Sequence, residues 1–321
     1  MANVLIVGGA GYIGNSIVDE FLKTTSSLAG NNSIKVYDNL LYQDNYFRAV
    51  DFVYGDIRDK VKLKKELDWA DIVIWLAAIV GDQACCLNPR ETIEINEISL
   101  FWLTKNFKKR IIFLSTCSIY GLQYGVLKED ALVNPLSLYA GTKLNAERAL
   151  LANDSLIFRL GTVYGIAQTF GRVRFDLVVN VMTASAYCSK KLVVNGGEQY
   201  RPVIHVRDVA SMVVKGALSK NIGVYNLSSA NIKILDLANM VAEEIPETAI
   251  DVVSQQFEDS RNYQVNCEKA ITELGFKPEF GIKDGIREVV KLLGSGRIKD
   301  YRCPIYSNQA YLDKIQYQEK E

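Results

Sequence analysis

Tyr139 and Lys143, in the stretch YAGTK, carry the most telling chemistry in this sequence. On a helix, residues four apart share a face, so the lysine ammonium lies beside the phenol. A neighbouring cation favours the phenolate and lowers a pKa that is otherwise about 10. Tyr139 then suits a general base toward a substrate hydroxyl, and it can return the proton in the reverse direction. An isolated YxxxK is as readily an amphipathic helix with an exposed lysine, so the pattern needs company. Ser115-Thr116 supplies it. The pair ends the apolar run Ile111–Leu114, with Thr116 lying 23 residues before Tyr139. Its hydroxyl can hold the oxygen that Tyr139 deprotonates, with Ser115 as the weaker substitute.

A second chemical feature comes earlier. Gly8-Gly9-Ala10-Gly11-Tyr12-Ile13-Gly14 separates the apolar run 3–7 (NVLIV) from a helical spacing of apolar residues over 11–23. Gly8, Gly11 and Gly14 allow a tight turn, close backbone approach to a pyrophosphate, and tight helix–sheet packing. The phosphate charge would rest on unpaired N–H groups at the helix start, near Tyr12 and Ile13. Asp38 closes the second strand, in VYDN, where a carboxylate accepts from both adenosine ribose hydroxyls and repels a 2′-phosphate. No arginine follows it directly, so NAD is expected over NADP. Asp56-Ile57, in GDIRD, is placed to bracket the adenine. An oxidised nicotinamide's positive charge would push Tyr139 the same way as Lys143.

The elements that must position these groups are legible as short strands alternating with helices. Strands are expected at 3–7, 34–37, 52–54, 72–76, 111–114 and 156–160, with helices around 59–67, 90–107 and 138–151. Strands without alternation, separated by helices, imply a parallel sheet covered on both faces. After Gly165 the order loosens: 172–189, 235–245 and 282–293 look helical, and 192–194 and 203–206 look like strands. The polar stretch 24–33 looks like a surface insertion. The tail 294–321 is polar and aromatic, with Cys303-Pro304 breaking any helix.

Composition bounds the function. A chain of 321 residues is about two domains' worth and needs no disulfide or metal staples. Its 49% apolar and 23% charged residues exclude a disordered or collagen-like chain. Thirty-seven basic and 37 acidic side chains leave no basic field for nucleic acid or anionic lipid. The longest apolar run, 72–81, is about half a membrane span. MANVLIVGG has no basic n-region or cleavage site, so no signal peptide is expected. Six irregularly spaced cysteines and one histidine, His205, do not make a zinc pattern. A reduced cytoplasmic protein with free thiols and no metal is the expectation.

Together, GGAGYIG, Asp38-Asn39 of YDN, GDIRD, Leu76-Ala77-Ala78, Asn96, STCSIYG at 115–121, YAGTK and RLGTVYG at 159–165 resemble the extended short-chain dehydrogenase/reductases. These are the NAD-dependent nucleotide-sugar epimerases, dehydratases and decarboxylases. The resemblance covers about 1–290. It implies an α/β fold: a Rossmann-like doubly wound parallel sheet (1–166 plus 202–230) that binds NAD. A smaller mixed α/β domain (167–201 plus 231–321) would bind a nucleoside-diphosphate sugar. It also implies a homodimer or higher homo-oligomer. Thr116, Tyr139 and Lys143 match the family's catalytic positions. Gly8, Gly11, Tyr12, Ile13, Gly14, Asp38, Asn39, Asp56, Ile57, Leu76, Ala77, Ala78 and Asn96 fall on its cofactor site, Asn96 as a support.

The family begins by moving hydride from the sugar C4 to NAD, giving a 4-keto sugar. Its dehydratases carry Asp-Glu directly after the catalytic Thr, where this chain has Cys117 and Ser118. A thiol of pKa about 8.5 is a poor proton donor to a leaving hydroxyl. The missing Glu counts against decarboxylation too. A 4-epimerase is therefore expected, with a 4-dehydrogenase releasing the keto sugar as the alternative and a non-catalytic NAD-sensing relative as a remote one. For the substrate, Arg201 (in EQYRPVIHVRD) and Arg261 (in DSRNYQVN) resemble family arginines that meet the diphosphate. Arg172 and Arg174 are placed to face the nucleotide, Thr162 stands where the family usually has Asn, and Asn180 matches an Asn near the substrate. His205 is expected to be structural, and Cys85 and Cys86 to pack on a loop over the sugar.

Overall fold

The computed structural model describes residues 2–27, 33–167, 171–253 and 262–318. Its strands are β1 (Asn3–Val7), β2 (Ser33–Asp38), β3 (Asp51–Tyr54), β4 (Ile72–Trp75), β5 (Arg110–Thr116), β6 (Leu122–Leu127), β7 (Ser155–Leu160), β8 (Thr162–Tyr164), β9 (Lys191–Asn195), β10 (Tyr200–His205), β11 (Gly223–Leu227), β12 (Ala230–Lys233), β13 (Ala249–Val253) and β14 (Asn262–Val265). The α-helices are α1 (Tyr12–Ser27), α2 (Lys60–Trp69), α3 (Asp82–Leu87), α4 (Pro89–Ile93), α5 (Ser99–Asn106), α6 (Leu138–Leu150), α7 (Val178–Ser189), α8 (Val206–Leu218), α9 (Ile234–Glu244), α10 (Glu268–Leu274), α11 (Ile282–Gly294) and α12 (Asn308–Gln318).

The main sheet has seven strands in the order β3-β2-β1-β4-β5-β7-β11, and every pairing is parallel. Alternate residues of its apolar strands feed two cores. Val4, Ile6, Val36, Ile74 and Ile112 pack with α1 and α8, and Leu5, Val7, Val73, Ile111 and Phe113 pack with α2, α5 and α6. Burial on both faces is why these strands read as unbroken apolar runs. This is the expected Rossmann-like doubly wound sheet. The strand order reverses between β1 and β4, and the crevice at the carboxyl ends of those strands is where such sheets bind ligands.

Caps begin the key helices. Asp59 accepts from Lys62 N ahead of α2, and Ser137 accepts from Ala140 N ahead of α6. The second body contains a three-stranded sheet β8-β10-β12, with β9 paired to β13, around a core shared with α7, α9 and α11. β14 pairs with β6.

Three expectations need correction. The helix anticipated over 90–107 is α4, a wider π turn at Glu94–Ile98, and α5. Such turns collect at functional sites, and Asn96 sits in this one. The helix anticipated over 172–189 begins only at Val178, so 171–177 run outside helix and carry Arg172 and Arg174. The tail is not left as loop. Pro304 begins a short 3₁₀ turn, and α12 follows and packs on α3. Part of the polar stretch 24–33 lies outside the described residues, and α1 runs further into it than expected.

Candidate functional site

A cleft of about 750 Å³ opens at the carboxyl edge of the main sheet. Its floor is the glycine turn. Gly8 has φ +84°, and a Cβ there would lie 2.4 Å from Ala77 N. A Cβ on Gly14 would lie 2.5 Å from Gly9 O. At Gly11, by contrast, a Cβ would meet only Gly8 O, at 3.4 Å. The protein's own packing demands the first two glycines and leaves the third facing open space, as expected where a ligand's backbone contact is the constraint.

Asp38 lines the same floor. Its carboxylate accepts from Ala10 N (3.0 Å) and Leu40 N (2.7 Å), and burial raises its pKa despite those bonds. Asn39 and Ile57 line the cleft with Asp56. Burial alone would raise Asp56, but a bidentate grip by Arg58 and a backbone bond hold it below the ordinary carboxylate range. Leu76, Ala77 and Ala78 form the opposite lip, and Ile13 the base. Tyr12 donates to Gly165 O (2.7 Å), tying the glycine turn to the chain that leaves the main sheet. These groups fit a dinucleotide: open backbone at Gly11 for a diphosphate, and carboxylates at Asp38 and Asp56 for hydroxyl and amine donors.

Thr116, Tyr139 and Lys143 meet on one wall. The Thr116 side chain lies on the Tyr139 side of that wall and acts to lower the phenol's pKa. Lys143 Nζ donates to Leu114 O (2.9 Å) and lies over the Phe113 ring. Burial lowers Lys143 to about 8. The Tyr139 phenol, however, is raised, not lowered. Burial and the nearby Cys85 outweigh the charge of Arg174 and the influence of Thr116. The acidification expected from Lys143 together with a nicotinamide charge is opposed, in the protein alone, by desolvation, which penalises both charged forms.

Behind that wall stands a brace that motif reasoning missed. Ser115 Oγ donates to Glu147, which Arg159 also grips at 2.9 Å and 3.2 Å. Glu147 lies four residues after Lys143, so the helical spacing that paired Tyr139 with Lys143 could have found it. With its hydroxyl held by Glu147, Ser115 leaves Thr116 as the hydroxyl beside Tyr139.

Other expected residues sit elsewhere. Asn96 is buried, and its amide grips Ile79 N (2.8 Å) and Ile79 O (2.9 Å), so it fixes the loop after β4 from behind. Asn180 was expected at the substrate. It is fully buried, with its amide held by Gly165 N, Gly165 O and Arg174 O, and it braces the wall without lining it. Arg201, expected on the diphosphate, is buried and donates to Tyr200 O; it does not line the cleft. Arg261 lies outside the described residues. Thr162, Arg172 and Arg174 do line the cleft, Arg174 paired with Asp176 (2.8 Å).

His205 is structural, as expected. Nδ1 accepts from Arg207 N (3.2 Å) while Nε2 faces Glu288 (3.0 Å), a pattern met only by the neutral ring. Burial and Arg207 lower it to about 4. Cys117 is fully buried and donates to Arg159 O (3.2 Å), and Cys85 donates to Ile79 O (3.4 Å). Burial pushes both thiols up, Cys85 to about 12. Cys86 is exposed, and all six cysteines are free.

The sequence missed two further contributors to the cleft. Tyr263 of β14 places its hydroxyl 3.3 Å from Ser118 Oγ. Asn308, first residue of α12, closes the roof by donating to Val80 O (2.8 Å) and accepting from Arg172 (2.5 Å). No local pattern in the polar tail announced it. Among the described residues no cluster of three His, Cys, Asp or Glu could hold a metal, and no helix is long and apolar enough to cross a membrane.

Similar proteins include the dTDP-glucose 4,6-dehydratase of Salmonella typhimurium, 26% identical over 337 residues covering 90% of this chain and 91% of that protein. UDP-glucuronic acid decarboxylase 4 of Arabidopsis thaliana is 24% identical over 337 residues, covering 95% and 70%. The structure of UDP-glucuronic acid 4-epimerase from Bacillus cereus, in complex with UDP-glucuronic acid and NAD, shares the fold. Its TM-score is 0.79 at 24% identity over 91% of this chain and 99% of that one. The profile of one family spans residues 4–228, from the glycine turn through the Thr116, Tyr139 and Lys143 wall to the last strand of the main sheet. The chain therefore belongs to the NAD dependent epimerase/dehydratase family, with NAD as its cofactor.

Proposed function

We propose that the protein oxidises a nucleoside-diphosphate sugar at C4 and reduces the resulting 4-keto sugar again, acting as a 4-epimerase. The observation that carries this reading is the grouping of Thr116, Tyr139 and Lys143 on the cleft wall, where no carboxylic acid follows Thr116. Position 117 is a thiol buried away from the cleft, and position 118 is a hydroxyl facing it. Neither supplies the strong acid that elimination of a hydroxyl needs.

NAD, when bound, supplies a hydride acceptor and a positively charged ring. Gly8, Gly11, Tyr12, Ile13, Gly14, Asp38, Asn39, Asp56, Ile57, Leu76, Ala77 and Ala78 would hold it, with Asn96 bracing the loop. Thr116 holds the C4 oxygen and Tyr139 takes its proton. Lys143, protonated below about pH 8, stabilises the phenolate. Desolvation raises the phenol's pKa, which keeps its proton in place in the protein alone. Thr162, Arg172 and Arg174 line the substrate side. The chain divides into an NAD-binding part, 1–166 plus 202–230, and a substrate part, 167–201 plus 231–321, whose last helix α12 packs on α3 of the first.

Incubation of the protein with NAD and single nucleotide sugars tests the reading. An epimer formed while NAD stays oxidised supports it. A keto sugar with accumulating NADH identifies the 4-dehydrogenase instead, and loss of water identifies a dehydratase.

A further inference from the structure

The roof of the cleft contains a half-buried cation that no carboxylate among the described residues grips. Arg172 donates from Nη1 to Asn308 Oδ1 (2.5 Å) and from Nη2 to Ile305 O (3.2 Å), both uncharged acceptors. Its Nε is buried with no hydrogen-bond partner. The acid on the same wall, Asp176, is occupied by Arg174 (2.8 Å and 2.9 Å) and by Asn308 N (2.8 Å). Burial, with Arg174 adding to it, pushes Arg172 down to about 10, so the site is short of negative charge.

A second unmet donor stands against it. The guanidinium lies 4.0 Å from the ring centroid of Tyr42, whose hydroxyl is also buried without a partner. Both residues line the cleft. Native proteins satisfy buried donors and pair buried charges, and here the remaining space is the cleft itself. Tyr42 shares an apolar cluster with Ile79, Cys85 and Tyr139, which puts the pair on the reacting side of the cleft.

We propose that Arg172 and Tyr42 form a receptor for an oxyanion of the bound ligand, with Arg172 held in place by Asn308 of α12. A guanidinium fixed at its two terminal nitrogens by neutral acceptors keeps its full charge for a third partner, and the phenol adds a neutral donor. The oxyanion is a carboxylate on the sugar or a phosphate of the diphosphate. The inference deepens the nucleotide-sugar reading and rests on it for the identity of the ligand.

Calorimetric titration of the NAD-loaded protein with UDP-glucuronic acid, UDP-glucose and inorganic pyrophosphate tests it. Arg172→Gln is expected to weaken the oxyanion ligand at least about tenfold, and Tyr42→Phe about threefold, with Tm of each variant near the parent's. A loss confined to UDP-glucuronic acid assigns the receptor to a sugar carboxylate. An equal loss for UDP-glucose and pyrophosphate assigns it to phosphate. Affinities within twofold of the parent for all three would overturn the receptor, as would a parent protein that binds none of them. If the sugar nucleotides fail to bind or turn over but pyrophosphate binding still depends on Arg172, the receptor stands and the nucleotide-sugar reading falls.

Discussion

The floor and the roof of the cleft are built by different rules. The floor comes from consecutive elements, β1, the glycine turn, α1 and β2, with β5 and α6 completing the wall. Its contacts end on backbone: Gly8 against Ala77, and the Asp38 carboxylate accepting from Ala10 N and Leu40 N. The roof joins residues far apart in sequence, as Asn308 bridges Val80 and Arg172. Its contacts are side-chain contacts. A backbone-built floor tolerates little change, whereas a side-chain roof can be re-cut for a different sugar without disturbing the fold.

The largest effect should come from the wall. Tyr139→Phe is expected to lower kcat by 10² to 10⁴, roughly the range for loss of a general base, while NAD binding and Tm hold. Retention of full turnover would remove Tyr139 from the mechanism.

Next comes the floor. Gly8→Ala places a Cβ 2.4 Å from Ala77 N on a residue with φ +84°, so the loop after β4 must move. A cost of about 2–4 kcal/mol in chemical denaturation is expected, along with weakened NAD binding. A variant as stable as the parent would show that the floor is less rigid than the comparison claims.

The third concerns a buried group belonging to neither surface. His205 is lowered from 6.5 to about 4 by burial, so between those values the unfolded chain binds the extra proton. Its contribution to stability is full above about pH 6.5 and lost as pH falls toward 4, on the order of 2–3 kcal/mol. Denaturant midpoints over pH 4–7 should fall on the acid side, and His205→Gln should flatten that slope. An unchanged slope would mean that other groups carry the acid limb.

The smallest effect should come from the roof. Asn308→Leu breaks the bonds to Val80 and Arg172 together, yet leaves every strand of the main sheet untouched. KM for the nucleotide sugar is expected to rise several-fold, with kcat within about threefold and Tm nearly unchanged. A variant that loses kcat as heavily as Tyr139→Phe would erase the distinction between the two surfaces.

Much of the floor was legible in the chain. Val4 to Val7 are apolar because both faces of β1 are covered, and the glycine turn must follow where β1 ends. Tyr139 and Lys143 fall on one face because a helix repeats every 3.6 residues. The direction of the Tyr139 shift was not legible, because burial depends on what packs around the phenol and motif spacing gives only its nearest charge. The displaced expectations share that cause. Asn180 and Arg201 have the residue types for substrate contact, but α7 and β10 bury them and neither lines the cleft.

The sequence by itself determined the parallel sheet, the glycine turn and the grouping of Thr116, Tyr139 and Lys143 on one wall. Each depends on local periodicity or on residues a few positions apart, and local geometry is written in the order of the side chains. Only the tertiary structure decided that the polar tail folds into α12 and returns to the mouth of the cleft. It also left Arg172 and Tyr42 with unmet donors there. Those outcomes depend on which surfaces remain uncovered once the sheet has formed, and a polar segment carries no periodic signal of the surface it will cover.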